Sequence, residues 1–324
     1  MKLPDEVIDL LSKALKSTHF QSIDLRCNNF GQKGICFVLD YLENNPLLKW
    51  LTLSNNPINS TDDINKLCKS IKQHPSINYL DFSRCKGADI DGYEMLKMIM
   101  DAGKCKKMDT INLSNNNIIT GGSTFISDFL ASKPMLDSLD LFGNELNDQD
   151  AIGIAGILKH NKRLSFLRLT GNNITKRGWV ALRKAEFDDT SLNTAANSNH
   201  TCNIKYPPCS RRLIGVDISE MNGDRNHTIA FAWKRVRQKK IYSVLSTRNR
   251  DCSNVKHFDD VSVELLPDIL HSIQAYSKYH VPPTEEDKEF TPPQNGNHVT
   301  PLSIVYEVCR HWKESLAAFE ALSS

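Results

Sequence analysis

The stretch LKWLTLSNNPI, residues 48–58, contains a pattern that recurs along the chain. Its leucines are separated first by two residues and then by one, and an asparagine follows three positions after the last of them. The same arrangement returns in MDTINLSNNNI (108–118), LDSLDLFGNEL (136–146) and LSFLRLTGNNI (164–174). Seven such units align along the chain at spacings of 28, 29, 31, 28, 28 and 28 residues. They begin at Phe20, Leu48, Ile77, Met108, Leu136, Leu164 and Leu192. A fixed period of this length predicts a solenoid, a fold that presents an extended binding surface.

Each unit changes its periodicity halfway along. Ile111 and Leu113 alternate as in a short strand, whereas Gly122, Ile126 and Leu130 recur at the spacing of a helix. A strand and a returning helix in every unit predict an α/β solenoid, in which parallel strands line one face and helices line the other.

This pattern resembles the leucine-rich repeat, in the longer form of the ribonuclease-inhibitor-like class, over residues 20–204. The resemblance implies a horseshoe with a parallel sheet on its concave face, helices on its convex face and a small α-helical C-terminal region. A looser resemblance connects the whole arrangement to uncharacterised ribonuclease-inhibitor-like proteins with a helical C-terminal cap. That resemblance implies no known activity.

One asparagine position recurs where the chain leaves each strand and turns inward. An amide has two donors and an acceptor, so it can satisfy backbone groups that the turn would otherwise bury without partners. We interpret this ladder as structural, with Cys85 replacing the amide in an irregular third unit. Its members are Asn28, Asn56, Asn116, Asn144 and Asn172.

The two ends of the chain differ from its middle. Residues 1–19 predict an amphipathic helix that caps the first repeat, and not a signal peptide. Residues 205–324 predict a helical cap, because the repeat ends near the degenerate unit at Leu192. Its helices are expected over 228–246, 259–279 and 301–321, with a disordered linker at 281–299 that is rich in proline and polar residues.

Composition leaves the partner open. Lys and Arg total 40 against 38 Asp and Glu, so bulk charge favours neither nucleic acid nor any other partner. No apolar run is long enough to span a membrane. The nine cysteines are scattered, several at core positions, as in reduced intracellular proteins. A cytoplasmic protein is expected, with the nucleus as an alternative; the oligomeric state is left open.

Three columns of side chains are expected on the concave face, because alternate strand residues point away from the core. The first is Ser22, Trp50, Tyr79, Thr110, Ser138 and Phe166. The second is Asp24, Thr52, Asp81, Asn112, Asp140 and Arg168. The third is Arg26, Ser54, Ser83, Ser114, Phe142 and Thr170.

Aromatic and charged residues share this otherwise polar face, a combination typical of interaction hot spots. The sequence therefore predicts a non-catalytic adaptor whose concave face binds a protein partner. Alternatively, the rings only cover one another or pack against a terminal cap. The predicted contact residues are Trp50, Tyr79, Phe142, Phe166, Arg168, Asp24, Arg26, Asp81 and Asp140.

A basic segment gives a second hypothesis. Residues 225–250 contain eight basic residues and no acidic one. They favour either contact with phosphates of nucleic acid or an anionic surface, or a solvated helix face balanced by acids elsewhere; we favour the second. The central residues are Lys234, Arg235, Arg237, Lys239 and Lys240.

Enzymatic function has little support in the sequence. The chain has no phosphate-binding GxxxxGK[ST], no GxGxxG between a strand and a helix, and no GxSxG nucleophile elbow. His200, Cys202 and Cys209 are spaced poorly for zinc, so neither a metal nor a cofactor is expected. The resemblance leaves one minor alternative, a GTPase activator for Ran, but the acidic tail typical of that group is missing here.

Overall fold

The computed structural model describes residues 4–15, 18–29, 31–104, 108–207, 236–245 and 261–277. The chain divides into two compact units. The first comprises Met1–Glu186 and Thr201–Ser219, and the second comprises Phe187–His200 and Glu220–Ser324.

The first unit alternates short strands with helices. Its strands are β1 (Ser22–Asp24), β2 (Trp50–Thr52), β3 (Tyr79–Asp81), β4 (Thr110–Asn112), β5 (Ser138–Asp140), β6 (Phe166–Arg168) and β7 (Asn203–Lys205). Its helices are α1 (Asp5–Leu15), α2 (Gln32–Asn44), α3 (Thr61–Gln73), α4 (Gly92–Gly103), α5 (Phe125–Ala131), α6 (Asp148–Leu158) and α7 (Lys176–Glu186).

The seven strands form one parallel sheet in chain order, from β1 to β7. A parallel pair needs a crossover, and a helix supplies it between successive strands from β1 to β6. This architecture confirms the predicted α/β solenoid, with a parallel sheet on the concave face of a horseshoe and helices on the convex face.

The core lies between the sheet and the helices. Leu80 and Ile111, the middle residues of their strands, are fully buried, and so are Phe82 and Leu113 two residues later. The helices face the sheet with residues at helical spacing, such as Ile64, Leu67 and Ile71 in α3. Alternation along each strand therefore separates leucines in the core from the side chains of the three columns.

Local side chains fix where the helices begin. The Ser60 side chain accepts a hydrogen bond from the backbone N–H of Asp63 at the start of α3. Asp91 accepts from the N–H groups of Tyr93 and Glu94 at the start of α4. Such caps satisfy N–H groups that have no partner within the helix.

The ladder asparagines bond adjacent turns together. Asn116 Nδ2 donates to the carbonyls of Phe82 (2.9 Å) and Leu113 (3.0 Å), and its Oδ1 accepts from the N–H groups of Cys85 (2.8 Å) and Lys86 (2.9 Å). Each amide therefore serves its own turn and the preceding one. Asn28 lies in the first unit and bonds only within its own turn through Nδ2.

Cys85 interrupts the ladder in the third unit. Its thiol donates to the carbonyl of Leu53 at 3.1 Å, and burial raises its pKa to about 12. In other units the amide oxygen accepts from the N–H at the equivalent position of the preceding unit. Because a thiol lacks that oxygen, the Asn56 N–H has no acceptor among the described residues. Ile58 N–H instead bonds the backbone carbonyl of Cys85 at 2.9 Å.

The predicted start of the seventh unit at Leu192 is wrong. That register would place a strand at 194–196, but Leu192–Ala196 is the short helix α8, which Ser191 caps. The seventh strand lies farther along the chain, where Asn203 pairs with Phe166 and Ile204 with Leu167. The leucine and alanines of this segment match the repeat in spacing but fold as an inserted helical turn.

The second unit is helical in its described parts. Besides α8 it contains α9 (236–245), a 3-10 turn at Val263–Leu265 and α10 (Leu266–Ser277). These segments fall within the predicted helices 228–246 and 259–279, whereas the helix at 301–321 and the linker at 281–299 lie outside the described residues. No helix of the described ranges has the length and apolarity needed to cross a membrane.

Candidate protein-binding surface

The register of the sheet aligns the predicted columns. Trp50 pairs with Tyr79, and Tyr79 pairs with Thr110, so the first column runs straight across neighbouring strands. In the second column Asp140 pairs with Arg168. The backbone hydrogen bonding between neighbouring units continues past the third column. Asn55 N–H donates to the Ser83 carbonyl, and Asn115 N–H donates to the Phe142 carbonyl.

Trp50 and Tyr79 lie side by side near the N-terminal end of this face. Trp50 is 55% exposed, and Tyr79 is half-buried. Within the described part of the chain, neither ring has an aromatic or cationic partner. Burial is the main cause that raises the pKa of Tyr79, and the charge of Asp81 raises it further.

Phe142, Arg168 and Asp140 form a cluster at the other end. The Arg168 guanidinium lies 4.1 Å from the centre of the Phe142 ring, and its Nη1 is 3.5 Å from Asp140 Oδ2. The cation therefore contacts an aromatic face and a carboxylate at once, a combination favourable to both. This cluster is satisfied by the chain itself.

The carboxylates of the second column also shape the local backbone. Asp81 Oδ1 accepts from the N–H (2.9 Å) and the hydroxyl (2.7 Å) of Ser83, and Asp140 Oδ1 accepts from Phe142 N–H at 2.9 Å. Asp24 accepts from the Arg26 N–H in the same way. One oxygen of each carboxylate is thus bonded within the chain, a role in addition to the partner contact that the sequence predicts. The repeated spacing of Asp or Asn two residues before the third column is the sequence signal for it.

Asp24 and Arg26 neutralise each other at the sheet edge. Arg26 Nε donates to the Asp24 carboxylate at 2.7 Å, and this bond holds the pKa of Asp24 below its ordinary value. Both side chains are exposed, so the pair adds little stability.

A left-handed backbone position follows the third column in every one of the first six units. Asn55, Asn115, Gly143 and Gly171 occupy it with φ between 57° and 74°. Asparagine and glycine tolerate this conformation well. In the third unit Arg84 adopts this conformation (φ 54°), and in the first unit Cys27 adopts it (φ 62°). The predicted site did not include Arg84.

Comparison with known families agrees with this geometry. A family model described as Leucine Rich repeat matches residues 16–35 and 132–155. The fold is a leucine-rich-repeat solenoid. A search of curated proteins finds no match to the chain. Leucine-rich-repeat domains generally mediate protein–protein interaction, and the repeat fold is typically a binding scaffold without enzymatic activity.

Two residues of the seventh strand also belong to this surface, and the predicted register from Leu192 did not include them. In the leucine-rich-repeat sheet, Asn203 extends the first column next to Phe166, which is half-buried. Lys205 extends the second column next to Arg168 and is exposed. The C-terminal end of the sheet therefore carries two basic residues where the sequence predicted one.

The basic segment makes internal contacts in its described part. Arg237 forms an ion pair with Asp268, and its Nε donates to the carbonyl of Ala196 at 3.2 Å. Lys240 is fully buried and donates to the carbonyl of Asn199 at 2.7 Å. Lys239 is half-buried, while Lys234 and Arg235 lie outside the described residues. This arrangement favours a packing role for Arg237 and Lys240 over contact with phosphates.

The described residues contain no group of three or more His, Cys, Asp or Glu side chains arranged to hold a metal ion. His200 Nε2 bonds the Ala196 carbonyl at 3.0 Å, Cys202 is buried, and Cys209 lies outside the described ranges.

Proposed function

We propose that this leucine-rich-repeat protein is a non-catalytic adaptor that binds a protein partner on its concave face. The observation that carries the proposal is the Trp50–Tyr79 pair, because a tryptophan that is 55% exposed on a sheet with a leucine core has no structural role visible in the described residues. Buried aromatic anchors supply much of the affinity at protein interfaces.

The unit length and the strand–helix alternation support assignment to the ribonuclease-inhibitor-like class of repeats. Spacings of 28 to 31 residues leave room for a full helix after each strand, and α3 and α4 run for 13 and 12 residues. We also propose a cytoplasmic location. The cysteines Cys68 and Cys85 are free thiols buried in the core, as is usual in reducing compartments.

Nucleic-acid binding through residues 225–250 and a Ran-type GTPase-activating role stay as alternatives. The internal contacts of Arg237 and Lys240 argue against the first, and a salt-dependent retention on heparin would support it. Accelerated GTP hydrolysis by Ran in a turnover assay would support the second.

The experiment compares partner capture by wild type and by a Trp50→Ala/Phe166→Ala double variant. Proteins that wild type captures from a native cell extract are identified and purified. Each is then titrated against wild type and against the double variant. We expect the double variant to lose at least about tenfold in affinity, because each ring is the size of a hot-spot anchor.

The matched control is Ile119→Ala/Met135→Ala, which removes two side chains outside the columns that are 56% and 46% exposed. This control should bind the purified partner as wild type does. Equal binding by wild type and the Trp50/Phe166 variant, with both folded, would contradict the proposal.

A further inference from the structure

The Phe142–Arg168–Asp140 cluster shows how this sheet binds a cation. Asp140, which carries the carboxylate, is the last residue of β5, and the ring of Phe142 follows it by two residues. The cation comes from the register position beside the carboxylate on the next strand, since Asp140 pairs with Arg168. The guanidinium then lies over the ring at 4.1 Å.

The third unit presents a similar ring and carboxylate without a cation. Here the ring precedes the carboxylate by two residues, since Tyr79 begins β3 and Asp81 ends it, and Trp50 adds a second ring beside Tyr79. The register positions next to Asp81 are Thr52 and Asn112, and neither is charged. The chain therefore supplies two rings and an acid here, but no base at the neighbouring position.

No basic side chain in the described part of the chain forms an ion pair with Asp81. Arg26 bonds Asp24 through Nε and Nη2, so its charge acts on Asp81 only at a distance. Arg84 forms no ion pair with Asp81 among the described residues. Asp81 Oδ1 accepts from Ser83, which leaves Oδ2 without a hydrogen bond in the described part of the chain.

We propose that Trp50, Tyr79 and Asp81 bind one arginine side chain of the protein partner. This inference rests on the proposed function, because it names the chemistry that the concave face recognises. An arginine fits better than a lysine, since its planar guanidinium stacks on aromatic faces while it donates to a carboxylate. Neighbouring strands about 4.8 Å apart place the two rings close enough to share one side chain.

The experiment selects peptides from a random display library on the full-length chain and removes those that also bind Trp50→Ala. The surviving sequences should be enriched in arginine. A selected peptide is then compared with its citrulline version, which keeps the shape of arginine but has no charge. We expect citrulline to weaken binding to wild type by about tenfold, because the charged hydrogen bond and the cation–ring contact are both lost.

A variant of the receptor tests whether Asp81 is the acidic partner. Asp81→Asn should weaken binding of the arginine peptide by about tenfold and leave binding of the citrulline peptide nearly unchanged. The two substitutions remove opposite sides of the same contact, so their effects on affinity should not add. Asp62→Asn, an exposed carboxylate on α3 that pairs with Lys66, is the matched control and should leave both affinities as in wild type.

Four outcomes would overturn the proposal. Peptides that need Trp50 but contain no arginine, or that bind equally well with citrulline, would refute it while leaving the proposed function intact. Lysine peptides that bind more tightly than their arginine counterparts would refute the assignment of arginine. A selection without any peptide that depends on Trp50 would refute this inference, whereas the proposed function is decided separately by binding of the purified partner to wild type and to the Trp50/Phe166 variant.

Discussion

The two ends of the concave face contain similar groups in different states. At the C-terminal end the chain places its own cation, Arg168, between Phe142 and Asp140. At the N-terminal end Trp50 and Tyr79 stand beside Asp81 with no cation of the chain at the neighbouring positions. The first cluster is satisfied within the chain, whereas we propose that the second binds a partner.

The turns after the strands differ in the same direction. The C-terminal units place Gly143 and Gly171 at the left-handed position, where glycine adopts positive φ without strain. The third and first units place Arg84 and Cys27 there, at a cost in backbone energy. The turns of the first and third units are therefore less favourable in backbone energy than those of the fifth and sixth units.

The largest change in unfolding free energy is expected on the core side of a strand, and a much smaller one on its outward side. Leu80→Ala should reduce the free energy of unfolding by about 2–5 kcal/mol, because it leaves a cavity at a fully buried site. Trp50→Ala should cost less than about 1 kcal/mol, since the ring is more than half exposed. Urea denaturation measures both changes. A loss for Trp50→Ala as large as that for Leu80→Ala would show that the ring belongs to the core.

The next effect compares the turns. Gly171→Ala should cost about 1–2 kcal/mol, because the residue has φ +74° and a Cβ would lie 3.1 Å from a ring carbon of Phe142. Arg84→Asn should stabilise the protein by about 0.5 kcal/mol, since asparagine tolerates positive φ. Thermal denaturation of the two variants checks the opposite signs. A lower melting temperature for Arg84→Asn would mean that the arginine side chain contributes more than the strained backbone costs.

A smaller loss of unfolding free energy is expected when Arg168 is removed from its contacts with Phe142 and Asp140. Arg168→Ala should cost about 1 kcal/mol of unfolding free energy, because the cation–ring contact with Phe142 and the ion pair with Asp140 are lost together. Arg163→Ala is the control, since Arg163 pairs with Asp109 at 3.4 Å and has no cation–ring contact among the described residues. Chemical denaturation should show a loss for the control below about 0.5 kcal/mol. Equal losses would show that the ring contact contributes nothing.

The smallest effect is a change in titration. The pKa of Tyr79 is raised first by burial and then by the negative charge of Asp81. Asp81→Asn removes that charge and should lower the pKa of Tyr79, because the phenolate is then easier to form. NMR titration of labelled tyrosine measures the change. Asp140→Asn should lower it less, since Asp140 is a weaker cause. An unchanged pKa in Asp81→Asn would place the carboxylate too far from the ring for a shared site.

Much of the fold could be predicted because the repeat is long and regular. The strands of the first six units lie where the alternation of leucines predicts them, as Leu51 and Leu139 show by being fully buried. The seventh strand was misplaced because Leu192 and Ala195 match the repeat in spacing but form a helical turn. Composition alone does not distinguish a degenerate strand from an inserted helix.

The columns of the site could be predicted, but their contacts could not. Period-two alternation places Phe142 and Arg168 on one face, yet they belong to different columns and strands. Whether the guanidinium lies over the ring depends on side-chain rotamers, which sequence spacing does not determine. The sequence therefore grouped Phe142 with Trp50 as equal candidates, whereas the structure shows one ring with a cation and the other without.

The contrast between the two clusters is tested most directly by NMR contacts to an arginine peptide selected on the wild-type protein. We expect nuclear Overhauser contacts from the arginine side chain to the rings of Trp50 and Tyr79 and none to Phe142. In Arg168→Ala, contacts to Phe142 should be added, because that cluster has lost its own cation. Contacts to Phe142 in wild type, or none to Trp50 and Tyr79, would contradict the proposed arginine site.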